Sequence, residues 1–225
     1  NMEINNETYK YTLIILPLVG AILASLVIGL NLGLNEFFNP LYSSFVCGVV
    51  YLALYGFIHT EAIIDVVDAW FASYSGKDAY KIMKESTIGA IGALYGVAFV
   101  LLKVGIITYV LYEEEYVLFF IVCIFSRLNL IYLLGYFKFS KDSFLSLAFE
   151  HGGIFQLKVF ALIYVILAFI IGSNVLVLFG LSLLSFYCIL KILNNKFGFV
   201  NGDCLGFTLE HTELILLNIG LAIII

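Results

Sequence analysis

The chain has little charge, and what it has is unevenly placed. Of 225 residues only 12% are charged, whereas 63% are hydrophobic. A soluble domain carries about a quarter charged residues, because the shell that meets water must be polar. In water, a fold of this size would leave much apolar surface uncovered. A mean hydropathy of +1.08 suits a chain whose outer shell faces lipid. No basic run is present, which argues against nucleic acid as a partner. The four cysteines (Cys47, Cys123, Cys188, Cys204) lack both zinc-ligand spacing and the pattern of a secreted disulfide framework, so free thiols are expected. The polar start, Asn1 to Lys10, lacks the small-residue cleavage site of a removable signal peptide, and the first apolar run is expected to stay as a helix.

What the chain has in abundance is long apolar runs. A hydrocarbon core needs roughly 20 such residues in a helix. Seven stretches qualify: Tyr11–Leu30, Phe37–Ile58, Ile88–Leu111, Tyr116–Tyr136, Phe155–Ile171, Val175–Leu193 and Leu205–Ile225. The expected fold is all-α, a polytopic membrane helix bundle of about seven transmembrane helices forming one domain over residues 1–225. Nine of the 11 Lys and Arg lie outside the apolar centres of these spans. With seven spans, all nine fall on the side of the N-terminus. The opposite side holds Glu36 and Glu113-Glu114-Glu115. The positive-inside rule then makes the N-terminus cytoplasmic. The longer connections, near 59–87, 137–154 and 194–204, lie on that same side, so any chemistry on a soluble molecule is expected there.

The most informative stretch runs from Gly56 to Phe71. It is apolar except for Thr60, His59, Glu61, Asp65 and Asp68. On a helix, offsets of four and three bring the three carboxylates onto one face. Three like charges on one stripe repel unless a cation neutralises them, and hard oxygen ligands suit magnesium or a similar ion. An acidic face in contact with water or headgroups is the plainer alternative. Lys77, Lys81 and Lys84 follow at helical spacing and read equally as phosphate partners or as positive-inside anchors. Gly89, Gly92 and Gly96 suit close helix packing. A third cluster, Gly202-Asp203, opens the last apolar run, which contains Glu210 and Glu213. Ionisable groups at membrane depth usually face a cavity or a partner. Arg127 could pair with such a carboxylate or with a substrate phosphate, whereas Lys103 is expected to snorkel outward.

These residues resemble a known family, cobalamin synthase, also called adenosylcobinamide-GDP ribazoletransferase. Its members carry H-x-D-G-x-x-D-x-x-D-G, then I-M-K-D-S-R-I-G-x-x-G, and later G-D-x-L-G followed by a glutamate. The counterparts here are His59-Thr60-Glu61-Ala62 through Asp65 and Asp68-Ala69; Ile82 to Gly89 with Gly92; and Gly202-Asp203-Cys204-Leu205-Gly206 with Glu213. Ser126-Arg127 is similar to a Ser-Arg pair of the family. Glu61 and Glu85 stand where aspartates are usual, Ala62 and Ala69 where glycines are, and Thr87 where an arginine is. The resemblance implies a magnesium-dependent phosphotransfer that joins α-ribazole, or its 5′-phosphate, to adenosylcobinamide-GDP and releases GMP, at the cytoplasmic face of a prokaryotic inner membrane. It further implies that Glu61, Asp65, Asp68 and Asp203 hold the metal and that Asp68 takes the hydroxyl proton. His59, Lys81, Lys84, Glu85, Arg127 and Glu213 then meet the substrate and its phosphates.

The chemistry parallels that of membrane CDP-alcohol phosphotransferases, but the Ala-Arg of their motif is missing after Asp65. An ion-coupled transporter would also use intramembrane carboxylates; no internal repeat supports one. A membrane scaffold without catalysis gives no account of so many carboxylates near the bilayer. Membrane lipids are expected neighbours, and the oligomeric state is left open.

Overall fold

A computed structural model describes residues 6–133, 136–137, 139–140, 159, 162–163, 165–166 and 174–224. The named elements are all helices: α1 (Asn6–Asn35), α2 (Pro40–Leu54), α3 (Ile58–Ser73), α4 (Ala79–Ile82), α5 (Ala90–Tyr112), α6 (Tyr116–Leu133), α7 (Asn174–Phe197) and α8 (Gly202–Ile224). Four of them, α1, α5, α6 and α7, are long and apolar enough to cross a membrane alone. A fifth span results if α2 and α3, bent by 75° from one another, count as one. The protein is thus an all-helical membrane bundle. The expected span Phe155–Ile171 lies almost wholly outside the described residues, as does most of the expected connection near 137–154.

Local chemistry explains the helix ends that matter for the site. Asn39 accepts a hydrogen bond from Leu41 N at 2.9 Å, and Pro40 takes the first turn, where its missing N–H costs nothing. The second apolar run was expected to continue as helix to Ile58. It stops at Leu54 instead, because Gly56 and Phe57 adopt φ of 65° and 58°, a left-handed conformation that no helix continues through. The chain turns there, and α3 starts afresh with its acidic stripe intact. The expected long connection at 194–204 is also corrected. Helix α7 runs to Phe197 and α8 begins at Gly202, leaving four residues between them.

Helix α8 packs against α3, α5, α6 and α7, while α1 pairs with α6 and α2. Helix α6 is largely buried within the bundle. At Gly20 an added Cβ would strike the Cys123 carbonyl, so glycine is what lets α1 approach α6. On the outside, Leu18, Ile22 and Leu26 of α1, Leu94, Val97 and Leu101 of α5, and Leu184 of α7 are exposed. A lipid-facing shell accounts for that pattern. Cys47, Cys123, Cys188 and Cys204 are all free thiols, as expected from their spacing.

Candidate active site

The acidic stripe forms on α3 as its spacing requires. Glu61 is exposed, and Asp65 and Asp68 are half-buried. Three other elements are brought to it. Asn201 caps α8 by accepting from Cys204 N at 2.9 Å, and it donates to Asp203 Oδ2 at 2.8 Å. The same amide nitrogen lies 3.4 Å from the sulfur of buried Met83. That contact ties the segment after α4 to the start of α8, and so carries Lys84 toward Asp203. Asn201 is a site residue that the sequence reading missed. The available signal was an N-cap asparagine directly ahead of Gly202-Asp203.

These groups lie near enough to feel one another's charge. Burial, followed by the carboxylates of Asp203, Glu61 and Asp68, pushes Asp65 up to about 6, and Lys84 opposes the rise. Asp203 is also raised by burial, with Lys84 and the Asn201 hydrogen bond pulling the other way. Crowded carboxylates with one nearby lysine are, in charge and donor type, a fit for a hard divalent cation. The ligand shell itself is not assembled. Among the described residues, no three His, Cys, Asp or Glu side chains are grouped closely enough to hold a metal ion.

Asp68 stands apart from the role it was expected to play. Its Oδ2 accepts from Gly89 N at 2.6 Å and its Oδ1 from Gly92 N at 2.9 Å. The two oxygens therefore satisfy two of the free N–H donors at the N-terminus of α5, where the helix dipole also favours a negative charge. Its observed task is to join α3 to α5. The glycines make this possible, since an added Cβ at Gly89 or Gly92 would overlap the Asp68 carboxylate. Gly96 gives the same clearance to Ile64. Gly92→Ala is expected to lower stability by roughly 1–3 kcal/mol through overpacking, read as a lower midpoint of thermal unfolding in detergent.

Glu213 and Arg127 are not open to substrate. Arg127 Nη1 lies 2.7 Å from Glu213 Oε1, and Lys103 Nζ lies 2.7 Å from Glu213 Oε2. Ser126 Oγ donates to Glu213 Oε1 at 2.8 Å, and Tyr51 OH donates to Oε2 at 2.9 Å. Lys103 also stands 3.0 Å from Glu210 Oε2, off the line of a hydrogen bond. Two acids and two bases thus neutralise one another inside the bundle. Lys103 is wholly buried, which overturns the expectation that it snorkels outward. A helix-centre lysine with two acids available is held inward by them more strongly than the interface attracts it.

Two openings reach this region. One, of ≈ 300 Å³, is lined by His59, Ala62, Gly202, Asp203 and Gly206 among others. The second, of ≈ 500 Å³, is lined by Asp68, Lys77, Glu85, Thr87 and Gly89 among others. Lys81 and Lys84 are exposed beside them, with Lys84 5.9 Å from the centre of the Tyr80 ring. The substrate-facing residues expected from the sequence therefore divide. His59, Asp203, Glu85 and the lysines border open space, whereas Arg127 and Glu213 do not.

Fold and site together define an all-helical membrane protein with a carboxylate-lined, lysine-bordered site where α5 and α8 begin. The family model described as cobalamin-5-phosphate synthase matches residues 1–221, and the chain belongs to that family. Curated relatives named adenosylcobinamide-GDP ribazoletransferase are similar along nearly their whole length. The protein from Thermodesulfovibrio yellowstonii is 28% identical over 96% of this chain and 87% of its own. That from Clostridium perfringens is 28% identical over 96% and 90%, and that from Treponema denticola 29% over 97% and 90%. No solved structure matches.

Proposed function

We propose that this chain is an adenosylcobinamide-GDP ribazoletransferase that joins α-ribazole, or its 5′-phosphate, to adenosylcobinamide-GDP. A ribazole hydroxyl attacks the phosphate on the corrinoid's aminopropanol arm. A phosphorus–oxygen bond forms there, the bond to GMP breaks, and GMP leaves. The observation that carries this reading is the family match across residues 1–221.

The site chemistry supports it. Phosphoryl transfer between two anionic molecules needs alignment and charge neutralisation more than covalent help from the protein. Asp65 and Asp203, with Glu61 beside them, would hold magnesium, and the mutual repulsion that raises Asp65 is what a cation would relieve. Magnesium, when bound, supplies charge neutralisation to the diphosphate and to the departing GMP oxygen. Lys84, close enough to pull on both aspartates, and Lys81 meet the phosphates as mobile point charges. Counted over the seven spans expected from the sequence, the surplus of lysine on the side of the N-terminus supports a site at the cytoplasmic face of the inner membrane.

The test is to incubate detergent-purified protein with adenosylcobinamide-GDP, α-ribazole and magnesium, and to quantify the joined corrinoid. Product is expected, together with its loss on chelation and recovery when magnesium is restored. A folded sample that makes no product, while the T. yellowstonii relative does, would refute the reading.

A further inference from the structure

Glu210 lies outside the motifs that carry the family resemblance, yet it governs the residue that opens the first of them. His59 Nδ1 is 3.0 Å from Glu210 Oε1. Tyr55 lies over the imidazole with ring centroids 5.0 Å apart. Toward α8 the ring meets Gly206, where an added Cβ would stand 3.5 Å from His59 Cδ2 and 3.0 Å from Ala62 Cβ. A Cβ there would touch the ring at ordinary van der Waals distance and would press Ala62 by a few tenths of an ångström, so α8 is closely seated against α3 at this point. Glu210 is wholly buried and tethered by Lys103 at 3.0 Å. A carboxylate so placed accepts a hydrogen on Nδ1, and in the neutral ring that tautomer leaves the lone pair on Nε2. The His59 side chain is 26% exposed, and it borders the ≈ 300 Å³ cavity that Asp203 also lines.

We propose that Glu210 is a positioning residue. It fixes the ring plane and tautomer of His59 so that Nε2 accepts a hydrogen bond from the attacking hydroxyl of the acceptor and aims it within this cavity. The inference rests on the ribazole-transfer reading, since it requires an acceptor that brings a hydroxyl. A buried carboxylate behind a histidine does the same for liganding imidazoles, where its loss costs roughly 10–100-fold. Lys103 belongs to the device, because its ammonium stands 3.0 Å from Glu210 Oε2 and holds that carboxylate in place.

The test is steady-state turnover of the full-length protein in detergent with adenosylcobinamide-GDP and α-ribazole. His59→Asn keeps a donor where Nδ1 stood, and so keeps the bond to Glu210, but removes Nε2. It is expected to unfold at the wild-type temperature while kcat falls roughly 10–100-fold, with KM for the corrinoid donor little changed. His59→Gln, whose amide reaches the Nε2 position, is expected to recover part of the loss. Glu210→Gln is expected to lower kcat in the wild-type background and to add nothing in the His59→Asn background. Wild-type turnover by His59→Asn overturns the inference. Equal losses from Glu210→Gln in both backgrounds also overturn it, because a merely structural role predicts that additivity. Should Glu210→Gln not fold, the His59→Asn and His59→Gln pair decides alone. If the wild type itself makes no product, the ribazole-transfer reading falls first, and this role falls with it.

Discussion

Replacing Glu213 by alanine is expected to unfold the protein rather than silence a folded enzyme. Its carboxylate is met by Lys103, Arg127, Ser126 and Tyr51 within 2.9 Å, and it is 1% exposed. Deleting it leaves two buried cations facing the single acid Glu210. Removing one partner of a buried pair costs about 3–5 kcal/mol, because the stranded charge cannot be solvated where it stands. Native domains have only about 5–15 kcal/mol in total. The expected result is a large fall in the thermal midpoint and loss of a monodisperse peak in detergent. Glu213→Ala combined with Arg127→Met is expected to be milder than Glu213→Ala alone, because charge balance returns with Lys103 and Glu210 still paired. A stable Glu213→Ala protein with only a raised KM for the donor would restore the substrate-binding role that the resemblance assigns to this residue.

Asp65→Asn is expected to behave in the opposite way, abolishing turnover while leaving the fold intact. A carboxyl held at about 6 against an ordinary value of 3.8 binds its proton more tightly folded than unfolded. The stability this contributes is fully present below about 3.8 and is lost as pH rises through about 6. At neutral pH without metal, the ionised group is therefore a small burden on the fold, and asparagine removes it. The thermal midpoint of Asp65→Asn should equal or slightly exceed that of the wild type near pH 7. The difference should vanish in acid and also shrink when magnesium is added to the wild type. An Asp65→Asn protein that melts early would mean that the carboxylate holds structure, as Asp68 does, and is not kept for a ligand.

The contrast between these two substitutions marks what was legible in the sequence. Periodicity put Glu61, Asp65 and Asp68 on one face, and that face exists, because spacing of four and three is a local property of the helix. What spacing does not encode is which neighbour each carboxylate meets. Asp68 meets the start of α5 because Gly89 and Gly92 leave room there, a fact about a helix 21 residues further along the chain. Glu213 looked like a substrate ligand from its motif, yet its partners come from three other helices. The numbers offered a hint: the two cations at the apolar centres of their spans, Lys103 and Arg127, match in number the two acids of the last span. The break at Gly56 was also readable in principle, although the apolar run continues through it without a pause. Hydropathy sees the solvent a residue prefers and is blind to a change of direction.

The proposed reaction is a transfer, with the acidic face of α3 and the entry of α8 acting on a nucleotide diphosphate. The most direct measurement is GMP released from adenosylcobinamide-GDP by the purified protein, with and without α-ribazole. Release is expected to depend on the acceptor and to match the joined corrinoid mole for mole. Release at the same rate without acceptor would make the protein a hydrolase. No release in either case from a folded, magnesium-supplied sample would contradict the account altogether.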